Sequence, residues 1–176
     1  MNHFEEIQNF SEQIEIQKLS REENGYYSFT GVCTIWGEET EIDITFDEDA
    51  ELSEYLPLLE KHLAWLNAHR KDALQALLDD DFLSLAENWA SGSDPAEDEE
   101  QECYLMEDGE KVFLPITEED FSKSLHLESV VLYCDEGKEE ITMDLWCACS
   151  PDYFACHSVL IYVNADGSME SGSLQG

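Results

Sequence analysis

Strand-like patterns on both sides of a leucine-rich helical segment are the feature that most limits how this chain can fold. Residues 26–36 are rich in β-branched and aromatic side chains, and residues 41–46 alternate polar with apolar ones. Alternation with a period of two is typical of a strand with one solvated face. We therefore predict a β-hairpin joined by Gly37-Glu38-Glu39. The side chains predicted to face the core are Ile42, Ile44 and Phe46.

The period changes after Asp47 to that of an α-helix. Leucines recur at spacings of three and four, at Leu52, Leu56, Leu59, Leu63 and Leu66. This spacing places them on one stripe of a helix. A proline inside a helix removes a hydrogen bond, so we expect the helix to begin near Tyr55 or to kink at Pro57. Apolar residues between Leu74 and Trp89 predict one or two further helices that end before Ser91.

The last third of the chain is predicted to contain a short helix and two hairpins. Thr117 is a suitable N-cap, because three acidic residues follow it at the positive end of the helix dipole. Residues 129–134 and 140–149 are predicted to pair around 135–138, and residues 158–163 and 168–174 around 164–167. The predicted fold class is α+β, with an antiparallel sheet of hairpins and a central helical block packed on one face. We expect a single domain over 1–176 with an acidic loop near 91–102.

The charge balance restricts the possible partners. The chain has 42 Asp and Glu against 8 Lys and Arg, a formal net charge of −34, and neither 72–110 nor 139–176 contains Lys or Arg. Nucleic acids and anionic membranes bind through Lys and Arg, so direct binding to either is not expected. A negative field of this breadth favours a basic protein as the partner.

The segment from Cys147 to His157 is the densest group of candidate metal ligands. On a strand Cys147 and Cys149 project from one face, and a turn through Ser150-Pro151 could bring Cys156 or His157 back to them as zinc ligands. Packing is the favoured alternative, because free cysteine behaves as a small buried hydrophobe. A nucleophilic pair of Cys149 with His157 is disfavoured, since surrounding carboxylates raise the pKa of a thiol.

Other candidate sites are weaker. His157 beside Asp152 fits an imidazole held by a carboxylate, which is more often a structural device than a catalytic one. Residues 164–170 resemble half a calcium loop, but Ala165 breaks the pattern and a hairpin turn is favoured. The side chains predicted to belong to the core are Trp36, Trp65, Trp89 and Trp146.

Several segments, in order, are similar to a family of uncharacterised bacterial domains. They are Ile35-Trp36-Gly37, the block ending Glu87-Asn88-Trp89, 116–121, 125–130 and 152–158. The resemblance covers about Tyr26 to Gly176. Members carry a Trp-Asn-Gly turn and an Asp-x-Phe-x-Gly-His segment; this chain lacks the Asn after Trp36 and has Cys156 in place of the Gly. The candidate binding residues lie in these two segments: Asp152, Tyr153, His157 and Trp36.

These observations favour a non-catalytic binding protein, with an immunity-type inhibitor of a basic toxin as its most specific form. The alternative is a metal-binding or hydrolytic enzyme centred on Cys147, Cys149, Asp152 and His157, with zinc held by Cys147, Cys149, Cys156 and His157. No cofactor is expected in the first case. A third explanation is that acidity is an adaptation to high salt. The start of the sequence has no secretory signal pattern, so we expect a cytoplasmic protein with reduced thiols.

Overall fold

The computed structural model describes residues 14–21, 26–47, 52–98, 102–134 and 140–176. Its first three strands are β1 (Glu15–Arg21), β2 (Tyr26–Ile35) and β3 (Glu38–Asp47), and they pair antiparallel in chain order. The predicted hairpin is confirmed, and Ile42, Ile44 and Phe46 are buried. The connection is shorter than predicted: Trp36 and Gly37 form it alone, with φ angles of 54° and 89°. Positive φ at both central residues suits the right-handed twist of the hairpin.

Three consecutive helices follow β3. They are α1 (Leu52–Ala68), α2 (Arg70–Asp79) and α3 (Phe82–Ala90). Leu59, Leu63 and Leu66 are buried, as the leucine stripe predicts. The predicted start near Tyr55 is wrong by one helical turn, because α1 begins at Leu52 and continues through Pro57.

A small antiparallel sheet lies between the helices and the last third of the chain. Its strands are β4 (Asp94–Pro95), β5 (Cys103–Leu105) and β6 (Lys111–Phe113), in that order. Within the predicted acidic loop, Asp94 and Pro95 pair with Leu105 and Tyr104, while residues 99–101 lie outside the described residues.

The remaining elements are α4 (Glu118–Ser124), β7 (Leu125–Cys134), β8 (Ile141–Cys149), β9 (Ser158–Val163) and β10 (Met169–Gln175). The predicted N-cap is confirmed, since the hydroxyl of Thr117 accepts a hydrogen bond of 3.1 Å from the backbone N–H of Asp120. In the β9–β10 turn only Gly167 has a positive φ, at 83°. The turn predicted at 135–138 lies outside the described residues.

The larger sheet has the order β1-β2-β3-β7-β8-β9-β10 and is mixed. The α+β class is thus confirmed, but the purely antiparallel sheet is wrong, because β3 and β7 pair parallel, with Ile42 opposite Val130 and Ile44 opposite Leu132. Parallel neighbours need a long crossover, which the helices and the small sheet supply here. Hairpin patterns in the sequence do not indicate which strands of two distant hairpins pair, or in which direction.

The chain divides into two compact units. Unit 1 comprises residues 1–70, 127–145 and 162–169, and the core of its described part includes Phe29, Ile44 and Leu66. Unit 2 comprises 71–126, 146–161 and 170–176, and its core includes Leu77, Phe121 and Phe154. Among the described residues, no helix has the length and hydrophobicity needed to span a membrane.

Candidate functional site

Residues 152–157, which belong to the connection between β8 and β9, form a turn organised by one carboxylate; we call it the Asp152 turn. Oδ2 of Asp152 accepts a hydrogen bond of 2.7 Å from the backbone N–H of Cys156, and Oδ1 accepts one of 3.2 Å from that of Phe154. The backbone N–H of Asp152 in turn donates to Oδ2 of Asp108 at 2.8 Å. Asp108 lies at the tip of the β5–β6 hairpin, so its carboxylate ties this hairpin to the turn, while the carboxylate of Asp152 holds the turn itself.

Two residues of the Asp152 turn have left-handed backbone conformations. Ala155 has a φ of 50° and Cys156 a φ of 64°. Glycine adopts such angles without the steric cost that a Cβ atom imposes. The conformation therefore explains physically why a glycine suits the position that Cys156 occupies in this chain.

Aromatic packing fixes the middle of the turn to helix α3. Phe154 is fully buried, and its ring meets those of Phe82 and Trp89 edge to face, with centroid distances of 6.1 Å in both cases. Tyr153 is also buried and stacks on Phe121 at 6.2 Å. The structure therefore brings Asp152 and Tyr153 into one packed segment in which Tyr153 contributes to the core.

His157 is held by main-chain carbonyls. Its Nδ1 lies 2.9 Å from the carbonyl oxygen of Phe154 and 3.1 Å from that of Ala155, so Nδ1 carries the proton and donates it. The ring also lies edge-on to Trp89 at 5.4 Å, and a Cβ on Gly176 would lie 2.7 Å from it. The hydrogen bonds of the Asp152 carboxylate go to the backbone amides of Phe154 and Cys156 and to the Cys156 thiol, so the imidazole is positioned by the backbone and by packing.

The candidate thiols occupy different environments. Cys147 and Cys149 are buried on one face of β8, whereas Cys156 is exposed in the turn. Burial raises the pKa of Cys149 to about 12, an effect reinforced by the charge of Asp152 and opposed by a hydrogen bond with Ser124. The pKa of Cys156 is raised by its hydrogen bond to Asp152 and by the charges of Asp152, Glu107 and Asp108. Both thiols are therefore protonated at neutral pH, and neither is an activated nucleophile.

The ligand groups proposed for zinc do not converge in the part of the chain that the structure describes. Among those residues, no three His, Cys, Asp or Glu side chains are arranged to hold one metal ion. The burial of Cys147 and Cys149 matches the packing interpretation.

The remaining candidate, Trp36, lies in unit 1 at the β2–β3 turn. Its backbone N–H donates to Oδ1 of Asn67 at 2.7 Å, and its indole N–H donates to the carbonyl oxygen of Leu66 at 2.9 Å. The guanidinium carbon of Arg70 lies 5.9 Å from the centre of the ring. These contacts fasten the turn to the end of α1 and hold Trp36 in its left-handed conformation.

Comparison with known protein families gives a match that covers most of the chain. Residues 16–174 match the model of a family described as an uncharacterized protein conserved in bacteria (DUF2262). The chain belongs to this family. No curated protein and no solved structure matches the chain. Membership in DUF2262 confirms the predicted resemblance to uncharacterised bacterial domains.

In this DUF2262 protein the two turns that contain the candidate binding residues both have a conformational role. The Trp36-Gly37 turn and the Asp152 turn each contain left-handed residues, and each is held by side chain to main chain hydrogen bonds. The polar atoms of Asp152 and the Nδ1 of His157 are used within the fold. The chemical role that this geometry allows is positional. The Asp152 turn, for example, fixes the carboxylate of Asp108 and lies near that of Glu107.

This DUF2262 chain also contains a cavity in unit 2 that was not predicted from the sequence. It has a volume of about 290 Å³ and lies between the small sheet, α4 and the start of the Asp152 turn. Lys111, Lys123 and Asp120 are its charged lining residues, and the ammonium group of Lys123 lies 2.6 Å from the carboxylate of Glu119. The spacing of four between Glu119 and Lys123 indicates this ion pair, but it does not indicate a cavity.

Proposed function

We propose that this protein is a non-catalytic binding protein that acts in the cytoplasm and whose partner is a basic protein. Its most specific form is an immunity-type inhibitor of a basic toxin. The observation that supports the proposal is a formal net charge of −34 on a chain whose described carboxylates are largely exposed, about half of them on helices and strands. Charges on ordered elements keep fixed positions, which a specific partner can complement.

Exposed carboxylates occur on several separate elements of both units. In unit 1, β3 carries Glu38, Glu39 and Glu41. In unit 2, α2 carries Asp72 and Asp79, and α4 begins with Glu118, Glu119 and Asp120. Charge on so many elements produces a broad negative potential, which raises the association rate with a positive partner and decreases as salt is added.

The Asp152 turn contributes to this surface by positioning other acids. The hydrogen bond from Asp152 to Asp108 places Asp108 and Glu107 near the exposed Cys156, as their effect on its pKa indicates. In this proposal Asp152, Tyr153 and His157 support a local acidic cluster, and Trp36 supports the β2–β3 turn. A supporting role agrees with the half-buried or buried state of all four side chains.

The enzyme alternative, centred on Cys147, Cys149, Asp152 and His157, has less support. A thiol with a pKa of about 12 supplies almost no thiolate near neutral pH. Zinc bound in stoichiometric amount to the purified protein would instead favour this alternative.

A direct test uses the product of the gene immediately upstream, because a toxin must be neutralised as soon as it is made. Stopped-flow mixing of the two purified proteins should give an association rate that falls at least about tenfold between low salt and about 0.5 M NaCl. Co-expression should also restore growth to cells that the upstream protein inhibits. A salt-independent rate, or no association at low salt, would contradict the proposal.

A further inference from the structure

One face of the larger sheet in unit 1 combines exposed tyrosines with carboxylates. Met143 and Val163 line a cavity with Trp65 of α1, so they point toward that helix. Side chains alternate along a strand, and the adjacent residues Asp144 and Tyr162 therefore point away from α1. Tyr133 and Tyr162 are 39% and 42% exposed, which is unusual for large side chains on central strands.

Strand register places two further residues, Glu41 and Asp43, on the same side as Tyr133. Asp43 pairs with Val131, and Thr45 pairs with Tyr133, so the side chains of β3 and β7 that point away from the core lie side by side. Glu41 lies two residues before Asp43 and shares its face. We call this surface the tyrosine face and define it by Glu41, Asp43, Tyr133, Asp144 and Tyr162. Adjacent strands are about 4.8 Å apart, so its four strands span about 14 Å.

Hydrogen bonding and charge give the tyrosine face a defined chemistry. The hydroxyl of Tyr133 donates to Oδ2 of Asp144 at 3.1 Å, which orients both side chains. Burial and the charge of Glu41 raise the pKa of Asp43. The pKa of Tyr133 is also raised, mainly by burial and to a smaller extent by the charge of Asp144. The four strands of the face, β3, β7, β8 and β9, contain no Lys or Arg and so supply no cation to neutralise these acids; in the same sheet, Lys18 of β1 pairs with Thr30, which pairs with Asp43.

We propose that the tyrosine face is where the basic partner docks and that it recognises arginine side chains. A guanidinium group is planar, stacks on a tyrosine ring and pairs with a carboxylate in two parallel hydrogen bonds. The ammonium group of lysine forms neither a planar stack nor a paired fork. Ordered tyrosines lose little side-chain entropy on binding, and tyrosine is enriched among the residues that dominate binding energy. The proposal rests on the proposed function, because it names the contact surface and the chemistry of that partner.

The test measures the binding of two fluorescent peptides, nona-arginine and nona-lysine, by anisotropy at about 0.1 M NaCl. The wild-type chain should bind nona-arginine more tightly. The double variant Tyr133→Thr with Tyr162→Thr should lose about tenfold in affinity for nona-arginine and less than about threefold for nona-lysine. Threonine favours strands, so the variant should keep its fold, which circular dichroism can verify.

Control variants test whether a loss of peptide affinity is specific to the tyrosine face. Leu105→Thr with Phe113→Thr removes two side chains of similar exposure from unit 2 and should change either affinity by less than about twofold. Asp43→Asn with Asp144→Asn should weaken nona-arginine binding more than Glu107→Gln with Glu110→Gln, although both pairs remove the same charge.

The outcomes distinguish the two proposals. Equal losses in the tyrosine and control variants, or equal affinity of the wild-type chain for both peptides, would overturn the tyrosine face as the docking surface. Salt-dependent binding of the wild-type chain would in that case still support a basic partner. Failure of the wild-type chain to bind either peptide at low salt would overturn both.

Discussion

At the scale of single residues, left-handed backbone positions determine the conformation of the Trp36-Gly37 turn and of the Asp152 turn. Trp36, Ala155 and Cys156 all have positive φ angles in places where a Cβ atom is unfavourable. Each position is compensated by local contacts, such as the indole hydrogen bond of Trp36 and the carboxylate of Asp152. Sequence reasoning found these segments by resemblance, but it could not show that their role is conformational, because φ angles cannot be read from residue types alone.

Substituting Cys156→Gly should stabilise the protein by about 0.5–1 kcal/mol, since it removes a Cβ atom from a left-handed residue at φ 64°. Urea denaturation of the wild-type and variant chains measures the difference. Cys156→Ala keeps the Cβ and is the matched control, for which we expect no gain. Equal stability of the Gly and Ala variants would show that the conformation carries no strain.

Buried thiols should make stability depend on alkaline pH. Burial raises the pKa of Cys33 from 9.0 to about 11 and that of Cys149 to about 12. Because these folded-state values exceed the unfolded ones, the stabilising contribution is complete below pH about 9 and is lost as the pH rises toward the folded values. Unfolding measured between pH 8 and 11 should show this decline, and Cys149→Ala should make it shallower. An unchanged slope in the variant would contradict the assigned cause.

The burial of the cysteines also predicts which thiols react with a reagent in solution. Five of the six cysteines are buried and only Cys156 is exposed. Titration of the native protein with a chromogenic disulfide reagent should therefore modify one thiol per chain, and the other five should react only after unfolding. Native Cys156→Ala should give no rapid reaction. Rapid modification of a second thiol would show that the buried cysteines are accessible.

At the scale of elements, period and turn residues predicted most of the fold. The alternation in β3 and the leucines of α1 identified the buried faces, because the apolar side of each element packs into the core. The parallel contact of β3 with β7 was not predictable, since period-two patterns do not record strand direction. The tyrosine face was also missed, because a tyrosine in a strand pattern is indistinguishable from a core residue until the register is known.

The Asp152 turn should depend on its carboxylate. Asp152→Ala removes the acceptor of the hydrogen bonds from the amides of Phe154 and Cys156, and we expect a loss of about 2 kcal/mol in the free energy of unfolding. Glu107→Ala removes an exposed negative charge nearby and is the matched control, for which we expect little change. Similar effects of the two substitutions, measured by urea denaturation, would indicate that charge and not hydrogen bonding is responsible.

At the scale of the whole molecule, a net charge of −34 should oppose the compact state by self-repulsion. Added salt screens this repulsion, so the melting temperature should rise by about 5 °C between low salt and about 0.5 M NaCl. Calorimetry measures the melting temperature, and the same concentration of a neutral osmolyte in place of the salt is the control for general effects of an additive. A melting temperature that falls with salt would mean that attractive ion pairs outweigh repulsion.

The claim that joins these scales is that a basic partner binds through a particular part of the negative surface. The most direct measurement is the change in backbone amide NMR shifts when nona-arginine is added to the isotope-labelled chain. We predict the largest changes around Val131, Tyr133, Asp144 and Tyr162, with suppression in about 0.5 M NaCl. Changes spread evenly over all exposed acids, or concentrated around Lys111 and Lys123, would contradict this account.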